Sequence, residues 1–246
     1  EQKAAFVSGF DYWHLEEAPE LGLPKIMVTD GPHGLRKQNP NGDSVGLGNS
    51  YPATCFPTAA TSSCSWDEEL LRKEGEALGE ECLQEEVSVI LGPGTNIKRA
   101  PVCGRNFEYY AEDPLLSGVF GAAETAAFQS KGGIVTIKHF AFNDQENHRG
   151  DREGQYGAAT WLNEQSAREI YLKPFEMSVK QGGAGAVMSA FNYIGMEWGG
   201  SHSGLLNTVL RGEWGFRGMV LTIMKYLKRR KLAAAASAPA DAPVKA

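Results

Sequence analysis

The sequence predicts an α/β fold of the TIM-type (β/α)-barrel kind, incomplete, with fewer than eight strands in this chain. Two observations predict it. Short runs that are apolar on both faces alternate with helical stretches, the pattern of parallel βαβ units. Polar residues cluster just past the C-terminal end of each run, and in a parallel barrel those ends meet on one face, where active sites are built.

Residues 24–29, PKIMVT, read as a buried strand followed by Asp30. Residues 67–84 open with Asp67-Glu68-Glu69-Leu70 and read as a helix, because acidic residues in a first turn complement the helix dipole. Residues 86–91, EVSVIL, are a second strand that runs into Gly92-Pro93-Gly94, with Arg105 beyond. Asp113-Pro114 puts a capping residue before a first-turn proline, so an Ala-rich helix should follow to about Lys131. GIVTIK at 133–138 is a strand that ends in Lys138 and His139. A helical pattern covers roughly Gln155 to Lys180. GAVMSA at 185–190 is a strand leading to Asn192 and Tyr193. Ser203 to Trp214 is a helix, and GMVLT at 218–222 is the last strand. That gives about five or six strands, short of the eight in a closed barrel. Neither a GxGxxG nor a P-loop follows the first strand, which argues against a nucleotide-binding doubly wound sheet.

Composition excludes several classes. The 246 residues are 42% hydrophobic, enough for a core, and the net charge of −6 argues against nucleic acid as a partner. No run approaches the roughly 18 apolar residues of a membrane span, so no membrane partner is expected. Cys55, Cys64, Cys82 and Cys103 fit no metal spacing and are expected as small buried hydrophobes rather than disulfides. The chain opens EQKAAFVSGF without a signal peptide, which suggests a cytoplasmic protein. The tail changes character: KYLKRRK at 225–231 is followed by an Ala/Pro-rich stretch. Residues 1–224 are therefore read as barrel and 225–246 as a linker or non-native tail, with a basic binding arm as the rival reading.

Four segments together resemble glycoside hydrolase family 3. They are IMVTDGPHGLRK (26–37), LGPGTNIKRAPVCGRNFEYYAEDP (91–114), GIVTIKHFAFNDQENHR (133–149) and GAVMSAFNYIGMEWGGSHSGLLNTVLRGEWGFRG (185–218). They stand in the family's order and cover nearly all of residues 1–222. The phrase TDGPHGLRK and the helix LLNTVLRGEWGF point to the β-glucosidase branch; KHFAFND departs from the KHFPGHG of the N-acetylglucosaminidase branch.

The resemblance implies a retaining β-glucosidase acting on a β-glucoside or short oligosaccharide, with no cofactor and no metal. It implies that Asp30 accepts hydrogen bonds from sugar hydroxyls, since two carboxylate oxygens can grip two vicinal hydroxyls. Arg105 would donate its fork of N–H groups, and Lys138 and His139 would hold the remaining hydroxyls. Arg149 would sit near the 2-hydroxyl or position the nucleophile, and Tyr193 would lie beside the nucleophile's carboxylate. Plainer readings exist for some of these. Asp30 before Gly-Pro is also a turn residue. Arg105 is also suited to an ion pair with Glu108 or Asp113, and His139 to a core position. His139, Glu146 and His148 suggest a metal group only weakly. Asp144, Glu146, Asp151 and Glu153 read as a solvated acidic loop.

Retention needs a nucleophile and an acid/base about 5–5.5 Å apart. The resemblance puts the nucleophile, an aspartate, directly after Met219-Val220-Leu221-Thr222, where this chain has Ile223. It puts the acid in a second domain, which this sequence does not carry. Negligible hydrolysis by this chain alone is therefore expected. Self-association through an open barrel edge is expected as well.

Overall fold

The computed structural model describes residues 8–39, 50–147 and 158–222. The chain divides into two units: 1–27 with 222–246, and 28–221. In the first, Asp11 Oδ1 accepts from the N–H groups of Trp13 and His14, each at 2.8 Å. An antiparallel bridge joins His14 to Met27, and a 3-10 turn, Pro19–Leu21, closes on Gly22.

The larger unit is built on a parallel five-stranded sheet. Its strands are β1 (Val28–Asp30), β2 (Val89–Leu91), β3 (Ile134–Phe140), β5 (Ala186–Ser189) and β8 (Met219–Leu221), side by side in that order. The described residues thus hold five of the eight strands a closed barrel needs. The α/β expectation and the strand order along the chain stand. Every strand is shorter than its apolar run except β3, because a strand extends only as far as a neighbour pairs with it. Val28, Thr29 and Asp30 pair with Val89, Ile90 and Leu91, so residues 24–27 fall outside the ladder.

Helices cover the sheet. α1 (Glu68–Gln84) starts where Asp67 accepts from the N–H groups of Glu69 and Leu70. α2 (Pro114–Ser130) starts where Asp113 accepts from Leu116. Both side chains satisfy amide donors that the first helical turn leaves unpaired. α2 packs between α1 and α3 (Lys173–Lys180). The helix expected from 155 is corrected: 158 belongs to no helix, Ala159–Thr160 form β4, and helical winding begins at Glu164, capped by Asn163. The turns Ala167–Tyr171 are π-helical, and Pro174 opens α3, since proline is tolerated in a first turn. Gly204–Glu213 is also π-helical.

A small second sheet was not anticipated. In it β4 pairs with β6 (Tyr193–Ile194), which pairs antiparallel with β7 (Glu197–Trp198). The core lies between the main sheet and its helices, where Ile137, Phe140, Phe175, Ala186 and Leu210 are fully buried. The expectation for the cysteines is half right. Cys82 and Cys103 are buried, but Cys55 and Cys64 are exposed thiols, and all four are free. No helix among the described residues is long and apolar enough to cross a membrane.

Candidate active site

Asp30 ends β1, and Lys138 stands near the end of β3. β2 lies between those strands, and the chain leaving it, Gly92-Pro93-Gly94, runs along β3: Lys138 N–H donates to Pro93 O at 3.1 Å and Thr95 N–H to Lys138 O at 2.9 Å. Gly94 bridges both Lys138 and Tyr109. A side chain there would not fit, because a Cβ would stand 2.8 Å from the Tyr109 ring. This close approach lets the segment 105–111 lie against the strand ends.

The charged groups form an alternating chain. Arg36 pairs with Asp30 Oδ2, and Lys138 Nζ lies 2.9 Å from Asp30 Oδ1. The same ammonium lies 3.5 Å from Glu108 Oε2, and Glu108 Oε1 takes the Arg105 Nε. Lys138 and Glu108 are nearly fully buried, whereas Asp30 and Arg105 keep about a quarter of their side-chain surface, 24% and 23%. Burial works to raise the Asp30 pKa, but the Lys138 and Arg36 charges and the Gly31 amide overcome it and hold the carboxyl well below its usual range. Burial also opposes the Arg105 charge, and Glu108, with Tyr109 and Glu146, together more than offset it. His33 is the contrast: burial pushes its pKa down to about 4, so it is neutral at pH 7.

His139 faces a second set of partners. Its Nδ1 lies 2.9 Å from the Tyr109 hydroxyl, which also accepts from Asn143 Nδ2 at 3.1 Å. Asn96 fixes the backbone here, accepting from the His139 N–H at 2.7 Å and donating to its carbonyl at 3.0 Å. The Lys138–His139 peptide is cis.

A cavity of about 560 Å³ opens beside the chain of charges, lined by Asp30, His33, Arg36, Arg105, Phe107 and Glu108, with Tyr51 and Phe56 as apolar wall. Its size lies in the range of about 300–1,000 Å³ common for small-molecule sites. Forked donors, carboxylate acceptors and aromatic faces together suit a neutral polyhydroxylated ligand. No group of three or more metal-ligating side chains occurs among the described residues.

Of the residues singled out from sequence, Asp30, Lys138 and Arg105 join one array, and His139 adjoins it through Tyr109. Tyr193 stands apart on β6, half-buried in the small sheet. Arg149, His148, Asp151, Glu153, Ile223 and the 225–246 tail lie outside the described residues. The Arg105–Glu108 ion pair does form, while Asp113 caps α2 instead. Asp144 and Glu146 are only partly solvated: both are half-buried, Asp144 accepting from the Ile97 N–H at 3.1 Å and Glu146 from Asn143 at 3.0 Å. Burial raises the Asp144 pKa to about 7, against that amide bond. Sequence reasoning passed over Glu108, Arg36 and Tyr109 as site members. Each sits within a quoted segment, but only its partner across the fold reveals its part.

The model of the "Glycosyl hydrolase family 3 N terminal domain" matches residues 21–245. The chain belongs to glycoside hydrolase family 3. A thermostable beta-glucosidase B of Acetivibrio thermocellus is 47% identical to this family 3 chain over 222 residues, 90% of the chain and 29% of the relative. An exo-alpha-(1->6)-L-arabinopyranosidase of Bifidobacterium breve is 45% identical over 223 residues, again 90% and 29%. Among solved structures, beta-glucosidase 3B of Thermotoga neapolitana in complex with alpha-D-glucose superposes with a TM-score of 0.80 at 37% identity, covering 90% of this chain and 32% of that one. The family 3 chain thus spans under a third of the length of these relatives.

Proposed function

We propose that this chain supplies the sugar-gripping part of a retaining β-glucosidase and that, by itself, it binds a pyranose without hydrolysing it. What carries this is the alternating array Arg36–Asp30–Lys138–Glu108–Arg105, of which Arg36, Asp30, Glu108 and Arg105 line a cavity of about 560 Å³ and Lys138 lies buried behind them. Asp30 and Arg105 keep about a quarter of their side-chain surface open, from which to meet vicinal hydroxyls, while the buried Lys138 and Glu108 hold them in register. The family resemblance adds His139, which adjoins the array through Tyr109, and Arg149 and Tyr193 as further contacts in this reading, with Tyr193 having to reach the ligand from β6. Relatives named for β-glucosidase and arabinopyranosidase activity, and a neighbour with glucose bound, support a neutral pyranose as ligand.

The reaction would need an attacking carboxylate and a proton donor on opposite sides of the glycosidic bond. Ile223 stands where the family resemblance puts the attacking aspartate, and isoleucine has no lone pair and no charge with which to stabilise an oxocarbenium ion. Binding without turnover is thus the form of activity this sequence favours. Residues 1–224 act in this reading as the barrel part and 225–246 as an attached tail. The outer edges of β1 and β8, each paired on one side among the described residues, favour association between copies. Four free cysteines, two of them exposed, favour a reducing compartment such as the cytoplasm.

The test combines glucose titration by calorimetry with an aryl β-glucoside assay on the purified chain. Binding that disappears in Arg105→Ala, with no turnover, is expected. Turnover abolished by Arg105→Ala would refute the inactivity; glucose binding untouched by that substitution would refute the site.

A further inference from the structure

The helix layer holds a second array of ionisable groups that sugar binding does not use. Glu124, in α2, is 6% exposed, and its Oε2 accepts from the Tyr110 hydroxyl. Glu74, in α1, faces it, with its own Oε2 accepting from Ser62 Oγ at 2.9 Å. Gly75 of α1 makes the space, since a Cβ there would stand 3.2 Å from Glu124 Cγ and 2.7 Å from the Glu124 carbonyl oxygen.

Neither carboxyl has a cationic partner among the described residues. Glu74 from α1 and Tyr110 from the segment 105–111 are the ionisable groups facing Glu124. α3 meets α2 through uncharged Met177 and Ser178. The charged residues of β3, Lys138 and His139, are committed to the candidate active site. In the π-helical turns, Arg168 pairs with Glu164 and Glu213, and Glu169 bonds Gln165. Two like charges without a counter-ion in a buried wall favour a neutral acid. Burial first, then the Glu74 charge, push the Glu124 carboxyl up to about 8 against the Tyr110 bond, and burial raises Glu74 too.

Tyr110 links this array to the site. It directly follows Tyr109, whose hydroxyl meets His139, and the same segment carries Arg105 and Glu108. Ser63 Oγ adds a bond to the Tyr110 carbonyl at 2.7 Å. We propose that Glu124 is carried as a neutral carboxylic acid and is a positioning residue that clamps the segment 105–111 to the helix layer through Tyr110. The clamp does not depend on which ligand the cavity takes.

A carboxyl whose pKa is raised on folding contributes fully below its unfolded value, near 4.5, and loses that contribution as pH rises through about 8. The test is urea unfolding of the full chain across pH, together with hydrogen exchange of the amides of 105–111 corrected for intrinsic rates. Glu124 should make the wild-type unfolding constant grow by up to about tenfold per pH unit between about 5 and 8, on top of what Asp144 and Glu74 contribute. Exchange in 105–111 should quicken over the same range. Glu124→Gln, which keeps the shape and an acceptor but carries no charge, should reduce both dependences; Asp144 contributes equally to both proteins and cancels in the comparison. Glu74→Gln should move the upper end of the window to lower pH. Parallel stability curves for wild type and Glu124→Gln would overturn the proposal, as would exchange in 105–111 that ignores pH. Should Glu124→Gln not fold, an unshifted window in Glu74→Gln overturns it.

Discussion

Lys138 Nζ stands 2.9 Å from Asp30 Oδ1, although 108 residues separate them in the chain. This contact ties the end of β3 to the end of β1 across the intervening β2. It also brings Glu108 within 3.5 Å of the same ammonium. A single buried cation therefore sets the distance between the two carboxylates that flank it.

Removing that cation should be costly. Lys138→Met leaves Asp30 and Glu108 to one arginine each and brings two negative charges together without a buffer between them. Breaking a buried pair from one side typically costs about 3–5 kcal/mol. Because both carboxylates retain a partner, we expect about 3 kcal/mol, read as a lower urea midpoint, together with loss of glucose binding. An unchanged midpoint would show that the ammonium is not electrostatically engaged.

Two carboxyls should give pH dependences of opposite sign. The Asp30 pKa is lowered on folding, so its contribution is complete above its unfolded value of 3.8 and fades as pH falls further. Asp144 is raised to about 7, so its contribution is complete below 3.8 and fades as pH rises through about 7. Unfolding free energies for Asp30→Asn should lose part of the acid-side decline. Those for Asp144→Asn, which keeps an acceptor for Ile97, should decline less between about pH 4 and 7. Curves that superpose on wild type in either window refute the corresponding assignment.

Backbone proximity at the site is testable with two glycines. Gly94→Ala places a methyl 2.8 Å from the Tyr109 ring and 3.0 Å from the Glu108 carbonyl, an overpacking worth about 1–3 kcal/mol. It should also weaken glucose binding by displacing Arg105 and Glu108. Gly104→Ala meets nothing within 4 Å and should stay within about 0.5 kcal/mol of wild type. Equal stabilities for the two variants in thermal melts would contradict the close packing.

The sequence by itself determined the elements whose causes are local. Asp113 announced α2, because a capping side chain acts on amides two or three residues away, and the acidic run from Asp67 announced α1 through the helix dipole, with Asp67 itself turning out to be the cap. Apolar runs announced the parallel strands, and placed Asp30, Lys138 and His139 at or near their C-terminal ends, with Arg105 in the segment beyond the second; the roles of these residues came only from the family resemblance. Tertiary structure decided what depends on distant partners. β1 begins at Val28 because β2 offers pairing only there. Glu108 belongs to the site because Lys138 reaches it, and Glu124 lies buried because Gly75 leaves room across the helix interface. A residue's type travels with the chain, but its dielectric surroundings and its counter-charges are supplied by segments tens of residues away, and only folding brings those together.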